Sequence, residues 1–165
     1  MREDCQIQIR DAEGSDAKPM SAVLQELIAA ERRQKPGDRA FVLSHYLEHP
    51  DRLRCFVAID DAGEVLGFQS LKLASPSNPY GTPSGWGIIG THIRPSAARR
   101  GVGRSLFGAT LATARQAQLP AIEAYIGEEN GPALAYYDAM GFKTHRRPDR
   151  AICKVFRLHA GPLDS

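Results

Sequence analysis

The chain opens on a short alternation of apolar and polar positions, Ile7-Gln8-Ile9-Arg10, as in a half-buried strand. A polar turn follows, in which Ser15 or Asp16 is suited to cap a helix. Met20, Val23, Leu24, Leu27 and Ile28 then recur at helical spacing and predict an amphipathic helix over 17–33. Pro36-Gly37-Asp38 breaks it, and a second short helix is expected over 39–48, ending near His49-Pro50. The run Cys55 to Ile59 reads as a strand, Asp60 to Glu64 as a hairpin turn with Gly63 where positive φ is wanted, and Val65 to Leu73 as the returning strand. Ala74 to Gly85 is a loop dense in Pro, Ser and Gly. Beyond it the pattern predicts a strand over Trp86 to Ile93, a helix over Gly101 to Gln118 ended by Pro120, and a strand over Ala121 to Ile126. A helix over Asn130 to Met140 and two strands, Phe142 to His145 and Ile152 to Leu158, complete the pattern, with His159 to Ser165 as a tail.

The order β, α, α, β, β, β, α, β, α, β, β has no internal repeat and no linker, so one domain over 1–165 with its core at 6–158 is expected. An antiparallel meander leads into a β-α-β crossover, and strands joined that way in one sheet run parallel. The fold class is therefore α/β or α+β with a mixed sheet. A length of 165 residues, 42% hydrophobic and 24% charged, adds that the chain can bury a sizeable core. Its net charge of +2 gives no general reason to expect nucleic acid or a membrane surface as partner. Cys5, Cys55 and Cys153 make an odd set without metal-binding spacing, so neither a disulfide framework nor a metal site is expected. A charged first segment, MREDCQIQIRDAE, lacks the apolar core of a signal peptide, and no run is long enough to span a bilayer. A cytoplasmic protein is the expectation.

Charge is concentrated in one place. Arg94, Arg99, Arg100 and Arg104 cluster around the junction between the fourth strand and a helix that opens with Gly101 and Gly103. The first N–H groups of a helix have no partner within it and, with the helix dipole, attract an anion. Glycine allows a phosphate to approach the backbone closely. The segment is neither a P-loop nor a dinucleotide fingerprint, since no Gly-Lys-Ser/Thr follows and Leu106 stands at the third position after Gly103. A second notable segment is NGPALAYYDAMGF, Asn130 to Phe142. Asn130 is a good N-cap, Pro132 suits a first helical turn and Gly141 suits the C-terminal cap. Asn130 and Tyr137 lie seven residues apart, close to two turns, and so project on one side.

Together these segments resemble the signatures of GNAT acetyltransferases. The family pattern Gln/Arg-x-x-Gly-x-Gly/Ala is similar to Ala98-Arg99-Arg100-Gly101-Val102-Gly103, preceded by Ile93-x-Pro95. The pattern Asn-x-x-Ala-x-x-x-Tyr-x-x-x-Gly-Phe is matched throughout by Asn130, Ala133, Tyr137, Gly141 and Phe142. Ala98 departs from the family's Gln or Arg, and Arg99 stands where many members have Gly. The resemblance covers about 6–158 and implies a mixed, mostly antiparallel sheet of about seven strands, with parallel, splayed fourth and fifth strands and about four helices.

The resemblance further implies acetyl-CoA as cosubstrate, without a metal, bound by Ile93, Arg99, Arg100, Gly101, Val102, Gly103, Arg104, Ser105, Asn130 and Tyr137. Direct attack of a primary amine on the thioester is implied, with Tyr137 as general acid for the departing thiolate. A phenol of pKa about 10 lies just above a thiol, so that proton transfer is nearly balanced. For the general base the fifth strand offers Glu123 and Tyr125, with Glu128 after it. On the fourth strand Thr91 and His92 are polar, and His92 ranks below Glu123 and Tyr125 because strand alternation is expected to turn it from the cleft. The acceptor is expected between the first two helices, the 74–85 loop and Trp86, with Glu26, Glu31 and Tyr80 as polar neighbours. A small-molecule amine is the expected partner. A protein or peptide amine, or a non-catalytic acyl-CoA sensor, are the alternatives. A homodimer is compatible with the family.

Overall fold

The computed structural model describes residues 6–158, so Cys5 and the expected tail at 159–165 lie outside the described residues. The elements are β1 (Gln8–Asp11), α1 (Ala17–Ala29), α2 (Arg39–Val42), β2 (Arg52–Ile59), β3 (Val65–Leu73), β4 (Gly87–Ile93), α3 (Val102–Gln116), β5 (Ala121–Gly127), α4 (Gly131–Ala139), β6 (Lys143–Arg146) and β7 (Ala151–Arg157). The strands form one seven-stranded sheet in the order β1-β2-β3-β4-β5-β7-β6. Every neighbouring pair is antiparallel except β4 and β5, the two strands joined by the α3 crossover.

Alternation along the strands divides the core in two. Val57 and Phe68 turn to one face, where Met20, Val23 and Leu24 of α1 and Val42 of α2 cover them. Leu71, Ile89, Ile122 and Ala124 turn to the other, under Phe107 of α3 and Tyr137 of α4. The sheet is thus buried on both faces, and β3 reads as a nearly continuous buried run for that reason.

The parallel ladder is short. It registers Gly87, Ile88 and Ile89 against Ile122, Glu123 and Ala124, and it stops there. Beyond Ile89, β4 continues to Ile93 against β3 alone, and beyond Ala124, β5 continues to Gly127 against β7 alone. The splay leaves one edge of Gly90–Ile93 without a strand partner, at the place where the chain next turns into α3.

Two helices differ from the periodic pattern. The first stops at Ala29, not 33, because Glu31 takes a left-handed φ of 60°. Glu31 N–H donates to Ile28 O and Arg32 N–H to Leu27 O, a Schellman closure with glutamate in glycine's usual place. The second is α-helical only over Arg39–Val42 and continues over Leu43–Leu47 as a wider π turn. These departures orient Arg32, Arg33 and Tyr46 at the site described next.

Candidate active site

A cavity of about 770 Å3 opens at the splay. It is lined on one side by the loop Ile93–Arg99 and the start of α3, on another by α4 from Asn130 to Met140, and at its far end by Leu27, Arg32 and Arg33. The start of α3 has the properties of an anion site. No side chain caps it, and the first helical bond recorded there runs from Ser105 N–H to Gly101 O at 3.1 Å. The N–H groups of Val102, Gly103 and Arg104 therefore lack intrahelical partners. The two glycines serve different ends. Gly101 has φ 80°, and a Cβ built there meets nothing within 4 Å, which leaves its backbone open to a bound group. A Cβ at Gly103 would collide with the Tyr136 ring, so this glycine serves helix packing and not phosphate approach.

Arg99 also has positive φ, 65°. A glycine reaches that conformation without strain, which accounts for the glycine that many family members carry here. Arg99 and Arg104 line the cavity, whereas Arg100 and Ser105 do not. Arg94 lines it but is engaged by the fold. Its Nε donates to Val65 O at 2.7 Å and its Nη1 to Glu26 Oε1 at 3.2 Å. Glu26 also accepts from Ser96 N–H at 2.9 Å, which ties α1 to the arginine loop. Ile93, Gly101, Val102, Gly103, Asn130 and Tyr137 all line the cavity. Asn130 caps α4 through Oδ1, which accepts from Ala133 N–H at 3.2 Å and leaves the amide NH2 for other partners.

Tyr137 reaches the open edge of β4 and exchanges a 2.7 Å hydrogen bond with Thr91 Oγ1. The proton positions around it follow from the neighbours. Tyr136 Oη donates its one proton to Gly103 O at 2.7 Å, so it must accept from Gln69 Nε2 at 3.0 Å. The same amide NH2 donates to Thr91 Oγ1 at 2.9 Å. Thr91 is then free to donate its own proton to Tyr137 Oη, and in that state the Tyr137 proton points elsewhere, available to a group in the cavity. Gln69 Oε1 is buried without a partner, so this network is kept at a cost. Burial pushes the Tyr137 phenol above its ordinary 10, against a smaller opposing effect of the Thr91 bond. Tyr137 therefore stays protonated until a strong base forms beside it.

The two preferred base candidates are elsewhere. Glu123 is fully buried on β5, bidentate to Arg146 at 2.6 and 3.0 Å, and accepts from Thr82 Oγ1 at 2.8 Å. It ties the 74–85 loop and β6 to the sheet and does not line the cavity. Tyr125 is 40% exposed and packs on Tyr80, with ring centroids 5.3 Å apart. Both lie on β5, whose side chains at 123 and 125 turn away from the α4 face. Trp86 pairs with His145 and Arg157, so it too is outside the cavity. His92, expected to turn from the cleft, lines the cavity. His92 does face the opposite side of the sheet from Thr91, but beyond Ile89 the missing β5 partner lets the cavity continue through to that side. His92 Nε2 lies 3.0 Å from Tyr46 Oη, and the ring packs against Phe68. Burial, then the positive charge of Arg33, holds its pKa well below the usual 6.5, so it is neutral at pH 7.

The sequence marks Thr91 as a polar residue of the fourth strand but gives no role to Gln69, Tyr136 or Tyr46. A glutamine inside the apolar run VLGFQSLKL was the available signal for Gln69. Among the described residues no group of three His, Cys, Asp or Glu is placed to hold a metal ion, and no helix is long and apolar enough to cross a membrane.

A seven-stranded mixed sheet split between β4 and β5, with an uncapped helix start at the split, defines the class of fold. The fold matches that of a GCN5-related N-acetyltransferase from Kribbella flavida, with a TM-score of 0.73 at 24% identity, over 92% of this chain and 98% of the other. It also matches an acetyltransferase from Salmonella typhimurium solved with its cofactor acetyl-CoA, with a TM-score of 0.66 at 18% identity, over 94% and 97%. The family model for the acetyltransferase (GNAT) family matches residues 20–142, and the chain belongs to that family. In sequence it is 34% identical to a mycothiol acetyltransferase from Saccharomonospora viridis over 91 residues, 54% of this chain. That stretch is 29% of the relative's length, so the chain spans less than a third of this curated relative.

Proposed function

We propose that the protein transfers an acetyl group from acetyl-CoA directly to the primary amine of a small molecule. The observation that carries this reading is the meeting, in one cavity, of the Tyr137 hydroxyl, the open edge of β4 and the uncapped start of α3. Acetyl-CoA fits the residues present. Val102, Gly103 and Arg104 N–H groups, with Arg99 and Arg104, suit its pyrophosphate, and Gly101 leaves room for close approach. Its structural relative from Salmonella binds acetyl-CoA. The name of the relative from Saccharomonospora points to a small acceptor. Among the described residues Cys55 and Cys153 are free, which fits a reducing, cytoplasmic setting.

When bound, the thioester supplies an activated acetyl carbonyl. The amine nitrogen attacks that carbon, and the carbon–sulfur bond breaks. The unpaired edge of β4 beyond Ile89 offers backbone N–H to the oxyanion. Tyr137 gives its proton to the departing thiolate, while Thr91 donates to Tyr137 Oη and holds the phenol in that orientation. A buried phenol with raised pKa suits this only because a thiolate in the same water-poor gap is raised as well. His92 takes the proton released by the amine. That role requires the tautomer in which Nε2–H donates to Tyr46 Oη and leaves Nδ1 bare.

The test is thiol release from acetyl-CoA with a panel of amines. Release that depends on both substrates is expected, with an N-acetylated product. Binding of acetyl-CoA without transfer to any amine would favour a sensor.

A further inference from the structure

The far wall of the cavity carries positive charge that the fold leaves unused. Arg32 and Arg33 reach it from the end of α1. Arg33 is held in place: Nε and Nη2 donate to Pro36 O at 3.1 and 2.7 Å, and the guanidinium carbon lies 5.3 Å from the Phe41 ring centroid. Among the described residues neither arginine has a carboxylate partner, and no Asp or Glu lines the cavity. Glu26, on the same helix, is already occupied by Arg94 and the Ser96 N–H.

A second cation lies on the other side of Tyr46. Lys72 is only 7% exposed, and its Nζ sits 5.6 Å from the Tyr46 ring centroid. It has no hydrogen bond and no ion pair among the described residues, and it opens on a small cavity of about 50 Å3 beside Asp51 and Tyr80. Burying an ammonium without a hydrogen bond or ion pair is costly, and the negative charge of Asp51 in the same small cavity offsets only part of that cost. Burial pushes Lys72 down to about 8. Tyr46 joins the two places, because its hydroxyl meets His92 while its ring lies under Lys72.

We infer that the acceptor is an amine that also carries an anionic group, a carboxylate or a phosphonate-type oxyanion, received by Arg33 with Lys72 behind Tyr46. This rests on the acetyl-transfer reading. The anionic charges of acetyl-CoA are met at the opposite end by Arg99, Arg104 and the start of α3, so the arginines at the end of α1 remain for the second substrate. A polycationic acceptor meets repulsion from Arg32 and Arg33, with no carboxylate lining their cavity to offset it.

The test compares acceptors that differ only in the anion: amino acids and aminophosphonates against their amides and esters, with a polyamine as the opposite extreme. Each is assayed by thiol release and by titration onto the full chain saturated with CoA. The acidic member of each pair should bind and react at least about tenfold better than its neutral partner, and the carboxylate and phosphonate arms tell the two anions apart. Arg33→Ala should raise KM for the acidic acceptor about 10- to 100-fold, the loss of one charge-assisted hydrogen bond, and leave KM for acetyl-CoA unchanged. Arg33→Lys should recover part of that loss. Preference for neutral or polycationic amines, or a rise in KM for acetyl-CoA alone, would overturn this inference and leave acetyl transfer intact. Failure of acetyl-CoA to bind would overturn acetyl transfer itself.

Discussion

At the scale of single residues, the site turns on which proton each hydroxyl holds. Tyr136 and Tyr137 are adjacent in sequence and opposite in role. The first is fixed on Gly103 O and Gln69, the second is paired only with Thr91. Burial pushes Tyr136 up to about 12, but its proton already has a fixed acceptor, so it is a structural phenol. Tyr137→Phe should therefore lower kcat by about 100-fold or more, with KM for acetyl-CoA nearly unchanged. Thr91→Val, close to isosteric, should lower kcat by about tenfold, the worth of one orienting hydrogen bond. A steady-state comparison of both variants with the parent checks this, and full activity in Tyr137→Phe would remove the phenol from the mechanism. The placement of Tyr137 was legible from its four fixed companions Asn130, Ala133, Gly141 and Phe142. Glu123 lies outside the cavity for a physical reason. A carboxylate on the right strand looks like a base, but a fixed side-chain direction and a partner 23 residues away, Arg146, decide its fate, and neither is visible in local sequence.

At the scale of elements, helix starts and ends do most of the positioning. The Schellman closure with Glu31 stops α1 early and aims Arg32 and Arg33 at the cavity. The π turn after α2 brings Tyr46 to His92, and turns of this kind recur at functional sites. Neither was legible: four residues of helix more or less do not alter an apolar period, and a π turn keeps the same pattern over one turn. The other strands and the central helices were legible to within two residues, whereas β2 starts at Arg52, three residues before the apolar run that marks it, because its first residues are mostly polar and at most partly buried. The arginine loop gives the prediction at this scale. Arg99 holds a left-handed φ, which costs an L-residue about 1–2 kcal/mol, in part offset by glycine's greater freedom when unfolded. Arg99→Gly should be more stable than Arg99→Ala by about 1 kcal/mol, read from chemical denaturation. The two variants lose the same charge, so equal stability would show that the loop bears no strain.

At the scale of the whole molecule, the splayed sheet acts as a passage. The ladder between β4 and β5 ends at Ile89↔Ala124, and past it one cavity joins the α3–α4 face, with its anion site, to the α1 face, with Arg33 and His92. The β-α-β order in the sequence implied parallel strands, but how far they stay paired depends on tertiary packing, and the extent of the opening was not legible. On the proposed acetyl-transfer reading, such an opening would admit two substrates from two sides at once. The reaction should then proceed in a ternary complex, with no acetyl group held on the protein. Initial velocities measured while both acetyl-CoA and the acceptor are varied test this most directly. Intersecting double-reciprocal lines are expected; parallel lines, the mark of an acetylated enzyme intermediate, would contradict direct transfer.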